Sequence, residues 1–198
     1  AVGARPKTEL AKDAGLEIGT TGGIWVDHNY RTSDADIYAV GDAIESYNML
    51  AHAPGRIALA GPTQRQARAA ADHICGMYNT NKGYIGSSCI KVFGQNAACT
   101  GLNEREAKRL GYSYDSVMIF PMDRVGLMPG ANYMVFKLVF EIPTGRILGA
   151  QAIGTGECDK RVDVIAAMIT MGGRLGALLC TAVLNRKRCC KLSGIGGT

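Results

Sequence analysis

Between residues 88 and 153, short apolar runs recur at strand length, separated by glycine and polar breaks. That is the pattern of strands with one covered face. Residues 88–93, 96–100, 116–120, 133–140 and 147–153 read as strands. The last two are joined by EIPTGR, whose Pro143 and Gly145 predict a hairpin turn. Helical spacing interrupts the strands once and follows them once. Asn103-Glu104-Arg105-Glu106 is a capping box that opens a helix closed by Gly111. Asp159 is expected to cap the second helix, with Val162, Ile165, Ala166 and Ile169 on one face. The order of these elements predicts an α+β layer, an antiparallel sheet with helices on one face.

Ahead of this region the pattern is less regular. A short helix is expected at 8–14, ended by Gly15, and strands at 24–26 and 37–40. An alanine-rich helix follows at 65–77, with Pro62 near its start, where a missing N–H costs nothing. The loop between carries His52, Pro54 and Gly55. A turn-rich stretch, YNTNKGYIG at 78–86, changes the composition and is taken as a boundary. The expected division is therefore 1–77, 78–173 and a tail at 174–198. The strand at 37–40, apolar on both faces, is of the kind that parallel sheets enclose.

Composition narrows the function classes. The chain has 198 residues and 47% hydrophobic content, enough to bury a core. The formal charge of +5 owes much to Arg174, Arg186, Lys187, Arg188 and Lys191, so the body is near neutral and no nucleic-acid surface is implied. No apolar run is long enough for a bilayer, and AVGARPKTEL does not read as a signal peptide. The seven cysteines are odd in number and without C-x-x-C spacing, which suggests neither a zinc site nor a secreted disulfide framework. A reducing cytoplasm is the simplest compartment, and no membrane partner is expected.

One stretch stands out chemically, TSDADIYAVGDAIE at 32–45. Its apolar run stops on Gly41-Asp42. A glycine there lets another group approach the backbone, and the aspartate can accept hydrogen bonds from hydroxyls. In open α/β sheets ligands lie beyond the carboxyl ends of strands, where this pair would be. An isolated Gly-Asp is more often an ordinary turn, and the dipeptide alone decides nothing.

The ordered set of motifs decides more. AVGARPKTEL, IWVDHNYRTSDADIYAVGDA, LAGPTQRQARAAADHICG, TGLNEREAKRLG, GRILGAQAIG and DKRVDVIAAMI occur in that sequence. Together they closely resemble the C-terminal part of the FAD-dependent pyridine nucleotide-disulfide oxidoreductases. The branch they resemble most holds the NADH oxidases, NADH peroxidases and coenzyme A-disulfide reductases. The resemblance covers roughly residues 1–173. It implies that 1–77 is the remnant of an α/β FAD-binding domain, its C-terminal segment, and 78–173 the dimerisation domain of a homodimer. It also implies that Asp42 accepts a hydrogen bond from the ribityl chain, with Gly41 allowing the approach. By the same resemblance, Leu59 and Ala60 bring backbone to the flavin ring. Gln64 and Arg65 fall where relatives present polar side chains toward the active site, although two solvated residues at a helix start are an equal reading.

The departures matter as much. The family holds each pyrophosphate with a G-x-G-x-x-G turn, and this chain contains none. The redox cysteine facing the flavin lies near the start of intact members, so no catalytic residue and no metal ligand are assigned here. NAD(P)H, like FAD, is a cofactor of the intact family, and the chain is expected to be without turnover of its own. A second reading makes it half of a site completed by another chain carrying the missing FAD and NAD domains. A third assigns a thiol-metal role to Cys189-Cys190, whose flanking Arg188 and Lys191 would lower the thiol pKa. His28, His52 and His73 have no partner at a diagnostic spacing. Leu127-Met128 stands before Pro129-Gly130 where coenzyme A-disulfide reductases tend to carry two tyrosines, which weakens coenzyme A as substrate. After Gly173 the family ending is replaced by RLGALLCTAVLNRKRCCKLSGIGGT, consistent with a shifted reading frame.

Overall fold

The structure of the chain, a computed structural model, describes residues 3, 5–78 and 83–180, which divide between Gly86 and Ser87 into two compact units. The second unit is an antiparallel sheet of five strands in the order β3-β4-β7-β6-β5: β3 (Ser88–Val92), β4 (Gln95–Gly101), β5 (Tyr114–Ile119), β6 (Met134–Glu141) and β7 (Ile147–Gly154). Cross-strand register decides which residues share a face, because side chains alternate along each strand. Ala98, Ala152 and Phe136 form one row and Thr100, Ala150 and Leu138 the next, and all six are buried. Helix α4 (Cys158–Thr170) packs on β4 and β7. Its inward residues Cys158, Val162, Ile165 and Ile169 recur at the helical period.

The opposite rows of the sheet are largely open. Ile90, Ala97, Ile153 and Val135 stand in one row, and Met118 and Lys137 in the next. Ile90, Ile153 and Met118 are exposed, as are Phe120 and Tyr133 at the same end of the sheet. Phe120, Tyr133, Val135 and Ile153 line a shallow groove there. At the other end this face is covered. Leu102 lies so close to Gly149 that a side chain on Gly149 would meet the Leu102 carbonyl oxygen. The short helix α3 (Glu104–Arg109) adjoins it, with Glu104 accepting hydrogen bonds from Ser116 and Lys137.

Local chemistry explains the elements. Asn103 accepts from the Glu106 N–H at 2.9 Å while Glu106 reaches back to the Asn103 N–H at 3.3 Å, the capping box read from the sequence. Gly111, at φ 78°, adopts the left-handed conformation that ends the helix. Gly145 closes the β6–β7 turn, its N–H donating to Glu141. Asp159 is not the cap of α4: Glu157 holds that position without a side-chain bond, and Asp159 sits inside the first turn. There its charge still favours the helix N-terminus.

The first unit is irregular. It contains α1 (Glu9–Asp13), a two-stranded hairpin of β1 (Ser46–Asn48) and β2 (Ala53–Gly55), and α2 (Ala60–Ile74). The expected strands at 24–26 and 37–40 are reduced to isolated bridges: Ile24 pairs with Ile18 and Ile44, and Tyr38 with Arg31. Among the described residues neither has a neighbour along its whole length, and a ladder needs one. The unit still has a core of Tyr30, Ile44, Ala69 and Ala70, against which Ile24, Val26, Tyr38 and Ala39 pack. Helix α2 begins five residues before the predicted 65, with Pro62 inside its first turn. A proline there removes an N–H that has no partner in the helix.

Candidate functional site

The site is built on the first unit, where the loop after Tyr38 meets the first two turns of α2. The Gly41 N–H donates to the Gln66 side-chain oxygen at 2.7 Å, a buried contact. Gly41 has φ 91°, and a side chain there would lie 3.4 Å from the Thr63 methyl. The glycine therefore turns the chain in a conformation other residues rarely adopt while pressing its backbone against α2. Gln66 is 3% exposed and reaches in both directions, its amide also donating to the Ser46 hydroxyl at 3.3 Å.

Glu45, also buried, turns the other way. Its carboxylate accepts from the Thr21 N–H and from the Thr20 hydroxyl, which fastens the loop to the turn at residues 19–23. Asp42 differs from both. Its side chain is exposed, and among the described residues no partner engages its carboxylate. An acceptor is thus held out between Gly41 and Glu45, both of which are committed inward.

Leu59 is the N-cap of α2 and supplies no side-chain hydrogen bond, and Ala60 opens the helix exposed. The first N–H groups of a helix, with its positive dipole end, favour an electron-rich partner. Gln64 and Arg65 are both exposed on the next turn. The Arg65 guanidinium folds back toward the helix start, 3.8 Å from where a side chain on Gly61 would begin. It also acts on buried Tyr30: burial raises the phenol pKa and the Arg65 charge opposes part of that rise. The positive character of this helix end is therefore reinforced by a side chain.

The structure brings Gly41 and Asp42 beside the start of α2, where Leu59, Ala60, Gln64 and Arg65 stand in succession. It does not gather the histidines. His73 receives a 2.7 Å contact from the Tyr38 hydroxyl, and His52 lies 3.3 Å from the Tyr47 hydroxyl. No group of three or more metal-ligating side chains occurs among the described residues. Cys75, Cys89 and Cys99 are exposed free thiols. Cys158 is buried, and burial first, then Asp159 and Asp123, push its thiol pKa up. It stays a packing thiol rather than a nucleophile. Cys189 and Cys190 lie outside the described residues. Sequence reasoning missed Gln66, and the only signal for it was a polar residue placed among the alanines of a helix face.

Comparison with known proteins adds independent findings. Residues 1–67 match the family described as pyridine nucleotide-disulphide oxidoreductase, and residues 87–184 match its dimerisation domain. The NAD(P)H sulfur oxidoreductase (CoA-dependent) of Pyrococcus furiosus is 35% identical over 172 residues, covering 87% of this chain and 39% of that protein. The NAD-dependent persulfide reductase from A. fulgidus superposes with a TM-score of 0.88 at 37% identity, covering 92% of this chain and 34% of that one. A FAD-dependent pyridine nucleotide-disulphide oxidoreductase from Desulfovibrio vulgaris superposes at 0.77 with 34% identity, covering 92% of this chain and 44% of that one. The chain thus spans less than half the length of these relatives.

Proposed function

Because the chain belongs to the pyridine nucleotide-disulphide oxidoreductases, whose members are FAD-dependent and use NAD(P)H, we propose that it supplies two parts of such an enzyme. The first unit supplies contacts to FAD. The second supplies the homodimer interface. The observation that carries the flavin reading is the exposed Asp42 carboxylate on a glycine turn seated against the start of α2.

The residues present fit that cofactor in kind. Asp42 would accept a hydrogen bond from a ribityl hydroxyl. The backbone of Leu59 and Ala60 would face the flavin ring, where the positive helix end suits the electron-rich edge of the isoalloxazine. Gln64 and Arg65 would stand on the reacting side. When bound, the flavin supplies the two-electron chemistry that links NAD(P)H to an acceptor, while this chain's own residues bind and orient.

Affinity sets the limit of this half-site. A few hydrogen bonds contribute about 1 kcal/mol each. Immobilising a ligand costs about 4 kcal/mol or more before side-chain ordering is counted. A family member closes that gap with the glycine-rich pyrophosphate turn, a motif absent from this sequence. The contacts of residues 1–77 by themselves are therefore expected to hold FAD weakly.

The domains follow the same division, with 1–77 as the flavin-contacting segment and 78–173 as the dimerisation domain. The open apolar rows of the sheet, from Ile90 and Ile153 to Met118, supply a face of the kind that a second copy covers. The described residues contain no helix long and apolar enough to cross a membrane.

The test is a FAD titration followed by flavin fluorescence quenching and visible absorbance, with Asp42→Ala beside the unmodified chain. Saturable quenching that weakens at least about fivefold in Asp42→Ala, the loss of one hydrogen bond to a charged acceptor, supports the reading. Quenching identical in the two proteins would remove Asp42 from the site.

A further inference from the structure

The loop that presents Asp42 is held by one buried side chain, and that arrangement carries an inference resting on the flavin reading above. Gln66 is 3% exposed and uses both ends of its amide. The oxygen accepts from Gly41 N–H at 2.7 Å, and the nitrogen donates toward Ser46 Oγ at 3.3 Å. The two partners flank Asp42, one immediately before it and one four residues after. An amide offers an acceptor and a donor on one planar group without needing to change its protonation state. An ionised carboxylate could accept from Gly41, but it could keep the Ser46 contact only if that hydroxyl turned to donate. An aliphatic side chain would leave the Gly41 N–H without its partner against the helix.

We propose that Gln66 is the positioning residue of the flavin contact: it fixes the Gly41 turn against α2 and so sets the place of the Asp42 carboxylate relative to the helix start. It never touches the cofactor. Its fixed point is the α2 backbone, which is itself anchored by Ala69 and Ala70 in the core of the unit. Glu45 steadies the far side of the same loop through the turn at Thr20-Thr21. With both flanks held, Asp42 is presented outward beside the start of α2, and its position follows from Gln66 rather than from any contact of its own.

The experiment is amide NMR on the full chain, with and without millimolar FAD, a concentration at which weak binding still shifts resonances. The unmodified chain, Gln66→Leu and Ser46→Ala are compared. In Gln66→Leu, hydrogen exchange at Gly41 is expected to speed up about fivefold to tenfold, the loss of one hydrogen bond. Ala69 and Ala70 should keep their protection, which a general loss of stability would not allow. The FAD-induced shifts at Gly41 and Asp42 should shrink in parallel, while those at Ala60 persist.

Ser46→Ala breaks only the outer bond and is expected to give a smaller change in the same direction, about twofold. It carries the test if Gln66→Leu does not fold, and unchanged Gly41 exchange in Ser46→Ala would then overturn the proposal. Unchanged exchange at Gly41 in a folded Gln66→Leu overturns it directly. So does faster exchange with FAD-induced shifts at Asp42 left at full size. An unmodified chain whose Gly41, Asp42 and Ala60 amides ignore FAD is a different failure, that of the flavin reading itself.

Discussion

At the scale of single residues, environment separates acids of similar sequence context. Asp42 projects into solvent, Glu45 is buried as a tether, and Glu104 is paired. The Lys137 hydrogen bond first, and the Ser116 hydrogen bond second, hold the Glu104 carboxyl below the usual glutamate range, against a small opposing effect of burial. The sign of the pH effect follows. A carboxyl depressed in the folded state contributes stability above the unfolded glutamate pKa, and loses it as pH falls through the lowered folded value. Substituting Lys137→Met should therefore move the Glu104 titration upward toward the ordinary range. Carboxyl-carbon chemical shifts recorded against pH would read this directly, and an unmoved midpoint would mean that Ser116 alone accounts for the depression.

Elements differ in how far the sequence announces them. Helix α3 is fully local: Asn103 and Glu106 satisfy each other's backbone N–H, and Gly111 ends the turn. Replacing Asn103 by alanine should cost about 1 kcal/mol of stability in denaturant unfolding. A loss near zero would show that the cap is redundant with the packing of Ala107. The sheet strands were legible for a related reason, since each alternates or runs apolar between clear breaks and finds its neighbour within the same unit. The strands expected at 24–26 and 37–40 were not, because a short buried strand exists only by virtue of neighbours, and here each finds only isolated bridges among the described residues. The β1–β2 hairpin escaped notice because Ser46, Asn48 and Pro54 carry no strand pattern. Asp42 and the α2 start were visible in the local pattern and gained a flavin role only through the family resemblance, and Gln66 was found by neither route, since its partners are 25 and 20 residues away along the chain.

On the scale of the whole molecule, the two units divide the work. The first places a charged acceptor beside a helix end, and the second buries one face of its sheet under α4 while leaving the other partly apolar. An exposed surface of this kind is unfavourable in isolation, at about 25 cal/mol for each Å² of apolar area left in water. A stable dimer of ordinary size covers roughly 800 Å² on each partner. The open rows contain residues suited to the centre of such a patch: Ile153 and Val135 are neighbours in register, with Met118 one row away and Tyr133 and Phe120 beside the groove. Lysine placed at the centre should be costly in the dimer, because its charge would be desolvated without a partner, and harmless in the monomer, where it faces water. Ile153→Lys is therefore expected to lower the sedimentation-equilibrium mass from twice that of the chain toward one, with the circular dichroism spectrum unchanged. A dimer that survives Ile153→Lys and Val135→Lys together would place its contact elsewhere on the chain, and would leave the apolar rows to a different partner.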